Sequence, residues 1–496
     1  MRRATMVGTV VIIVAVLAAG CGGDGNGNGN GGVVIGRGPG APAPVVPDEP
    51  ANGVDTTNAR SAPLATNPTA NDVSSGSRSR LEGMVDAENR ASAQDIQEAL
   101  DDWTARANLE RNDGAAQLGI GLVLAVAGLY NTAIQLGYTE EDIFGELNPA
   151  GLAESALKDL LDVEKVIGAP IAAFFFRPDA LTPKDLLAKS DIPGTGDPLL
   201  TTEQVQIATR NFALPLIEDA IARLNALAVT AADAEAALIT ATIDGEASGI
   251  YPPEIKALVA ALRVMQANLL MFAAYDLDAG DYDWTLNWED RDANNDGVLT
   301  VAEYAPADPF LWRKQEVSNM PDAGQALRDA CDDGIWAVQN RGTNSLLAEA
   351  LQDASMSPEE IIGYLNDLKT LISGQVDVEV NYETVVSPWD AGTTGGVAPA
   401  AVATIPLNLA AIWDNPVNDI KHLLPTLHLC CEWGSIEPCP DWGAEPQDRG
   451  DFPDLTMHGV FPDGAAIADL VEGEYNHVTV SYGSVQDLVV VEPWWY

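Results

Sequence analysis

The chain has 496 residues, of which 47% are hydrophobic, and this is enough material for a large core or for two domains. Acidic residues outnumber basic residues by 73 to 26, so the formal charge at pH 7 is −47. A field of this sign repels nucleic acid and anionic lipid headgroups, which argues against a polyanion as the partner. The acid excess predicts a strongly solvated surface, with loose attraction for divalent cations or for a basic partner as the second interpretation.

The amino terminus has the order of a secretory signal. Two arginines precede an apolar run over 10–19, and small residues lead from that run into Cys21. The segment resembles the lipobox of bacterial lipoproteins, which implies that 1–20 is a signal peptide and that Cys21 carries a lipid. The residue directly after the cysteine is Gly22 and not an aspartate. In enterobacterial lipoproteins, the absence of an aspartate at this position implies transfer to the outer membrane. The alternatives are an ordinary signal peptide and a short anchor, since the run is shorter than the roughly 20 residues of a membrane span.

Residues 21–80 are predicted to form a disordered tether. A glycine- and asparagine-rich stretch over 22–32 is followed by sequence rich in proline, alanine, serine and threonine. Such sequence has too few large apolar side chains to build a core and acts as a spacer. A tether of about 60 residues would let the folded part stand several tens of Å from the bilayer.

The next segment, 81–375, is predicted to be a helical domain. Apolar residues recur at helical spacing in several stretches. The predicted helices are 91–109, 115–136, 152–166, 202–228, 255–275, 323–338, 344–354 and 357–371. The pair joined by 112–114, with Leu118 and Gly119 as a bulky and then a small residue, resembles a tetratricopeptide-type helix pair. The alternative is a generic helical bundle, because no repeat of about 34 residues is sustained.

One motif in this domain carries chemistry. The segment 292–303 resembles an EF-hand calcium loop position for position, with Gly297 at the sharp turn. Calcium takes six to eight oxygen ligands, and this loop supplies carboxylate, amide, hydroxyl and main-chain oxygens. The resemblance assigns as ligands Asp292, Asn294, Asp296, Val298, Thr300 and Glu303. The alternative is an acidic surface turn in a chain already rich in aspartate.

Three further expectations concern this loop. Leu299 lies at the position that anchors such loops to a core, and Pro306 predicts that the helix after the loop is short. The sequence offers no second loop for pairing. We therefore expect a structural calcium ion rather than a sensor site, with a dissociation constant on the order of 10⁻⁴–10⁻³ M.

The last segment, 376–496, is predicted to be a small α+β region. Alternation of apolar and polar residues predicts strands over 376–382 and 478–482, and an apolar run predicts a buried strand over 488–491. A short helix is expected over 416–424. The fold class that follows for the whole chain is mainly α: a helical bundle or an irregular helical-repeat domain, with a small C-terminal α+β region.

Four cysteines remain beyond Cys21. An even number in an exported chain predicts two disulfides, and the candidates are Cys331, Cys430, Cys431 and Cys439. The sequence does not choose their pairing. A zinc site that uses these cysteines and the nearby histidines is the less favoured interpretation, because the thiols lack the regular close spacing of zinc ligands.

The sequence contains no nucleophile elbow, no zinc-protease motif and no phosphate-binding loop. It therefore predicts a non-enzymatic, lipid-anchored protein of the cell envelope with a structural calcium site. Such a protein would bind or scaffold an unknown protein or small molecule. The alternative is a helical periplasmic accessory or solute-binding component of a transporter. A hydrolase is the third hypothesis, and it would need His422, His428 or His458 beside a carboxylate in a cleft.

Overall fold

A computed structural model gives the fold of this chain. It describes residues 53–68, 71–72, 93–136, 202–229, 238–243, 246–277, 291, 293, 298–305, 307–314, 319–342, 347, 357–383, 401–424, 426–428, 453–454, 456–464 and 477–491. The predicted signal peptide, the lipidation site Cys21 and the predicted helix 152–166 lie outside the described residues.

The described residues divide into two compact units. The helical unit comprises Ala43–Ala273 and Asp322–Lys369, and the sheet unit contains Ala274–Pro321 and Thr370–Tyr496. The described residues 298–303 of the candidate calcium loop fall within the ranges of the sheet unit. The structure is mainly helical, with a small antiparallel sheet in the C-terminal part, as the sequence predicts.

The helices lie close to their predicted bounds. In chain order they are α1 Thr57–Ser61, α2 Ala93–Leu109, α3 Gly114–Gln135, α4 Thr202–Ala208, α5 Leu214–Val229, α6 Pro252–Ala274, α7 Val301–Tyr304, α8 Asn319–Gln339, α9 Pro358–Ser373 and α10 Ala410–Asp414. A π-helical turn, Thr209–Ala213, joins α4 to α5, and a 3-10 turn spans Ile420–Leu423. The predicted single helix over 202–228 is thus interrupted. Pro215 explains the interruption, because its ring would clash with the carbonyl four residues earlier in a regular helix.

Helix α3 begins at a side-chain cap and packs closely on its neighbours. Asp113 Oδ1 accepts a hydrogen bond of 2.9 Å from the Ala116 N–H, which satisfies one donor of the first turn. The Trp103 ring of α2 packs directly on Gly119, where an added Cβ would lie 2.3 Å from the ring. A Cβ on Gly121 would likewise lie 2.7 Å from Leu224 of α5. The glycines of α3 therefore set how closely α2 and α5 approach it.

Two of the described helices, α3 and α6, are long and apolar enough to cross a membrane by length and composition alone. More than half of the tested part of each is buried inside the protein. Core helices of soluble proteins pass the same test, so this finding is weak evidence for a membrane span.

Helices α6 and α8 are joined inside the helical unit by a network of charged side chains. Lys256 Nζ lies 2.5 Å from Asp333 Oδ1, and Arg263 Nε lies 2.8 Å from Asp333 Oδ2. Arg263 also contacts Asp329 at 2.7 Å. Lys256 and Asp333 are buried, so each charge depends on its partners for compensation.

The strands form three small sheets. They are β1 Asn71–Asp72, β2 Ile239–Ile243, β3 Glu246–Ile250, β4 Val298–Leu299, β5 Gln375–Glu383, β6 Ala401–Asn408, β7 Leu427–His428, β8 His477–Tyr482 and β9 Val485–Val491. In the helical unit the order is β1-β2-β3, and in the sheet unit it is β6-β5-β8-β9, with β4 and β7 as a separate pair. Val378 and Val380 are buried and the intervening Glu379 is exposed, which confirms the predicted alternation in β5.

Residues 53–68, which we call the strap, differ from the predicted tether of 21–80. The strap contains α1, and its small apolar side chains are buried in the helical unit: Val54, Ala59, Ala62 and Ala65. Composition alone indicates disorder for this stretch, but side chains of distant helices bind its main chain. The rest of the predicted tether, apart from 71–72, lies outside the described residues.

Candidate calcium site

The candidate calcium loop lies in a part of the chain whose two ends are bonded to each other. The Asp276 N–H donates to the Trp312 carbonyl at 2.8 Å, and the Leu311 N–H donates to the Asp276 carbonyl at 2.6 Å. Tyr275 and Arg313 form an antiparallel bridge beside this contact. The loop thus lies in a segment of the sheet unit, 276–312, whose two ends are hydrogen-bonded to each other.

The second half of the loop is built as the resemblance implies. Val298 and Leu299 form β4, Thr300 has an extended backbone with φ −77° and ψ 158°, and α7 follows. Helix α7 ends at Tyr304, which confirms the predicted short exit helix. Thr300 is the residue before the helix and Glu303 is the third residue inside it, so the two occupy the positions of a capping box.

Glu303 is held by Thr300. Both the main-chain N–H and the hydroxyl of Thr300 donate to Glu303 Oε2, each at 2.8 Å. The Glu303 N–H in turn donates to the Thr300 carbonyl at 2.9 Å. These bonds fix the carboxylate beside the hydroxyl, so that two of the predicted ligands are adjacent.

Leu299 anchors the loop to a core, as the sequence predicts. Its exposed fraction is 0%, and it packs in a small cluster with Ala305 and Leu424. Val301 and Leu311 are partly buried against the same cluster. The apolar contact fixes the backbone on either side of Leu299, where Val298 and Thr300 would offer oxygens to the ion.

The strand of the loop pairs with a distant segment. Val298 lies opposite His428 and Leu299 lies opposite Leu427 in an antiparallel pair between β4 and β7. Sequence reasoning missed this contact, because no motif links the loop to 427–428. Because the sequence contains only one calcium loop, no second loop is present to pair with β4. Strand β7 is its neighbouring strand instead.

The structure describes three of the six predicted ligands: Val298, Thr300 and Glu303. The other three, Asp292, Asn294 and Asp296, lie outside the described residues. Within the described part of the chain, no three His, Cys, Asp or Glu side chains converge into a metal-binding group. The described donors are a carboxylate, a hydroxyl and a main-chain carbonyl, which are the hard oxygen ligands that calcium prefers. Calcium at this loop remains a prediction.

Two of the described histidines, His422 and His458, lie near a carboxylate. His422 has a side chain that is 80% exposed, and its Nε2 lies 3.8 Å from Asp419 Oδ2, beyond hydrogen-bond distance. His458 has a left-handed backbone with φ 56°, and its main-chain N–H donates to Asp454 Oδ2 at 2.8 Å. The side chain of His428 lies outside the described residues.

Cys331 is a free, buried thiol on α8. Burial and, to a smaller extent, the neighbouring Asp332 carboxylate raise its pKa, Lys369 lowers it, and the net pKa is about 12. The other three disulfide candidates, Cys430, Cys431 and Cys439, lie outside the described residues. The sequence predicts Cys331 to be a disulfide candidate, but in this structure it forms no disulfide. A disulfide among the other three cysteines stays a prediction.

Two features of the chain bear on function: the segment ending at Cys21, which resembles a lipobox, and the loop 292–303 with its capped exit at Thr300 and Glu303. Comparison with known proteins adds no family to these features. No protein-family model matches the chain, and neither a curated protein nor a solved structure is significantly similar to it.

Proposed function

We propose that this protein is a lipid-anchored protein of the cell envelope whose sheet unit holds one structural calcium ion, and that it acts by binding or scaffolding rather than by catalysis. The observation that carries the calcium proposal is the geometry of β4 and α7. Leu299 is fully buried, and Glu303 is fixed beside Thr300. Three loop positions that would ligate calcium are thus held in order along one short stretch of chain.

The calcium ion would stabilise the sheet unit by joining the two halves of the loop. Asp292, Asn294 and Asp296 precede the turn at Gly297, and Glu303 follows it. In a chain with a formal charge of −47, the carboxylates of Asp292, Asp296 and Glu303 repel one another unless a cation lies between them. The two ends of the segment 276–312 are already bonded to each other at Asp276. An ordered calcium loop would fix the centre of this segment as well.

The envelope location is supported by the lipobox. Lipidation of Cys21 would attach the protein to a membrane, and the glycine after it favours the outer membrane. The strong negative charge disfavours nucleic acid as a partner. The partner that the protein binds or scaffolds would be another protein or a small molecule.

The calcium proposal is tested by thermal unfolding of the full-length chain in millimolar calcium and in chelator, with magnesium at the same concentration as the control. Calcium at about ten times the dissociation constant, which is about 1 mM for a constant of about 10⁻⁴ M and about 10 mM for about 10⁻³ M, adds about 1.4 kcal/mol to the free energy of unfolding. We expect a rise in the melting temperature that calcium produces and magnesium does not. Equal melting temperatures in all three conditions would exclude a structural calcium ion.

The anchor is tested in cells that produce the chain, by labelling with a radioactive fatty acid. The wild-type protein should carry the label and partition into the membrane fraction. A Cys21→Ser variant should lose both properties. Label that persists in the variant would exclude Cys21 as the lipid attachment site.

A further inference from the structure

The first half of the strap is bound through its main chain by two amide side chains. The Val54 N–H donates to Asn131 Oδ1 at 2.8 Å, and Asn131 Nδ2 donates back to the Val54 carbonyl at 3.0 Å. In the same way, the Asp55 N–H donates to Gln97 Oε1 at 2.7 Å and Gln97 Nε2 donates to the Asp55 carbonyl at 3.1 Å. Each amide thus binds both polar main-chain groups of one strap residue.

The second half of the strap is bound by a buried arginine. Arg223 Nη2 donates to the carbonyls of Ala59 and Ala62 at 3.0 and 2.9 Å, where α1 ends. Its Nη1 donates to Gln117 Oε1 at 2.5 Å, and Gln117 Nε2 donates to the Pro63 carbonyl at 2.8 Å. A guanidinium at the C-terminal end of a helix satisfies carbonyls that have no partner inside the helix.

A third contact lies at the C-terminal end of the strap. Asn112 Oδ1 accepts from the N–H groups of Thr66 and Asn67 at 3.1 and 3.2 Å. Two contacts use side chains of the strap: an exposed ion pair between Arg60 and Asp219 at 2.5 Å, and a 3.5 Å hydrogen bond from the Thr66 hydroxyl to Asn112 Oδ1. The other bonds to the strap described above all involve the strap's main chain. Main-chain contacts of this kind are compatible with many sequences, provided that the peptide has the right shape.

Three of the side chains that bind the strap are polar groups in the interior of the helical unit, whereas Gln97 and Asn112 are partly exposed. The exposed fractions of Gln117, Arg223 and Asn131 are 0%, 2% and 3%. Buried polar groups are destabilising when they have no hydrogen-bond partner, and a buried charge is more so. Helices α2, α3 and α5 therefore present a set of polar groups to which the strap supplies hydrogen-bond partners. Gln117 is in addition bonded to Arg223 and to the Arg111 carbonyl.

The strap offers small side chains to this site. Five of its residues are buried, and three of them, Ala59, Ala62 and Ala65, are alanines. Leu64, the large apolar residue between them, is partly exposed. The site therefore suits a short helical turn with small residues on its inner side, followed by a proline.

We infer that Gln97, Asn112, Gln117, Asn131 and Arg223 form a peptide-binding groove in the helical unit, which the chain's own residues 54–67 occupy as an intramolecular ligand. The ligand class is a peptide with small apolar side chains, bound through its main chain. A covalently attached segment has a high effective concentration, so the strap excludes peptides from other molecules. When the strap is displaced, the groove binds the same segment in trans. This inference does not depend on calcium or on the lipid anchor.

The test uses the full-length chain with its own strap displaced by Val54→Pro and Ala59→Lys. Proline removes the N–H that donates to Asn131, and lysine places a cation in a buried position next to the Arg223 guanidinium. A fluorescent peptide with the wild-type sequence of 53–68 is then titrated and its polarisation is measured. We expect saturable binding to the displaced variant and at least tenfold weaker binding to the wild-type chain.

Two controls identify the groove. A peptide that carries the same two substitutions should not bind the displaced variant. Adding Asn131→Leu to the displaced variant should weaken binding of the wild-type peptide at least tenfold. Equal binding to the wild-type chain and the displaced variant, or no binding to a displaced variant whose circular dichroism is that of the wild type, would overturn the inference.

Hydrogen exchange of the wild-type chain tests the same inference if the displaced variant does not fold. The amides of Val54, Asp55, Thr66 and Asn67 should exchange at least tenfold more slowly than in the free peptide. Asn131→Leu should accelerate exchange at Val54 without accelerating it throughout α3. Strap amides that exchange at the rate of the free peptide would show that no groove holds them.

Discussion

The carboxylate of Glu303 accepts two hydrogen bonds from a single residue, Thr300, one from its main-chain N–H and one from its hydroxyl. The same two residues are the ninth and twelfth positions of the candidate calcium loop. A helix cap and an ion-binding pair therefore share their side chains. The two roles can be separated, because a cap needs only hydrogen-bond acceptors whereas calcium needs negative charge and two carboxylate oxygens.

Glu303→Gln should leave the calcium-free protein almost unchanged. Glutamine can replace glutamate in a capping box, so we expect the free energy of unfolding in chelator to change by less than about 0.5 kcal/mol. Thr300→Ala removes the hydroxyl of the capping residue and its bond to Glu303, and this should lower the free energy of unfolding by about 1 kcal/mol. Denaturant unfolding of both variants in chelator measures the difference. A large loss in the glutamine variant would mean that the charge itself stabilises the exit helix.

Leu299→Ala should destabilise the sheet unit strongly. The side chain is fully buried against Ala305 and Leu424, and truncation of a buried leucine lowers stability by about 2–5 kcal/mol. Leu109→Ala is the control, because Leu109 is 89% exposed and its truncation should change stability by less than about 0.5 kcal/mol. Denaturant midpoints of both variants provide the comparison. Equal midpoints would show that Leu299 does not anchor the loop.

Asp333→Ala should destabilise the helical unit by about 3–5 kcal/mol, because it leaves the charges of Lys256 and Arg263 without their shared partner. Asp332→Ala is a matched control on the same helix. Its ion pair with Lys369, at 2.6 Å, is exposed and should contribute about 0–1 kcal/mol. Urea unfolding of the two variants measures both effects. Similar losses in the two variants would contradict a special role for the buried network.

Stability should fall in alkaline solution. Burial raises the pKa of Tyr275 from 10.0 to about 12, and burial together with Cys331 raises that of Tyr364 to about 12. Both phenols are neutral in the folded state and ionise more readily in the unfolded state. Their contribution to stability is therefore fully present below pH 10 and is lost as the pH rises through 12.

Ultraviolet titration of tyrosinate tests this pH dependence. The wild-type chain should show a group of tyrosines that ionise near pH 12, and Tyr275→Phe and Tyr364→Phe should each remove part of that group. Stability measured by denaturant should decline over the same range. Ionisation of all tyrosines near pH 10 in the folded protein would contradict the burial of these two side chains.

Local signals predicted much of the fold. The turn over 112–114 and the apolar sequence after it predicted α3, and the alternation of Val378 and Val380 predicted β5. Two missed features had signals in the sequence. Asp244-Gly245 between two alternating segments is typical of a tight β-hairpin, and the structure has the hairpin β2–β3 at this place. Pro215 is the sequence signal for the π-helical turn between α4 and α5.

Other features could not be predicted because they depend on contacts between distant residues. The strap has the composition of a linker, and its order comes from Asn131 and Arg223, which lie 77 and about 160 positions further along the chain. The pairing of β4 with β7 likewise joins segments that share no sequence pattern. Within the calcium loop, by contrast, the resemblance to an EF-hand predicted the buried Leu299, and Pro306 predicted the short exit helix, because both follow from local sequence.

The central claim is tested most directly by isothermal titration of the full-length chain with calcium, alongside Glu303→Gln and Glu360→Gln. Glu360 is a matched control, because its carboxylate caps α9 by accepting from the Ser357 N–H at 2.9 Å and lies outside the loop. The account predicts one site with a dissociation constant on the order of 10⁻⁴–10⁻³ M in the wild-type chain and in Glu360→Gln, and at least tenfold weaker binding in Glu303→Gln. Unchanged affinity in Glu303→Gln, or no calcium binding by the wild-type chain, would contradict it.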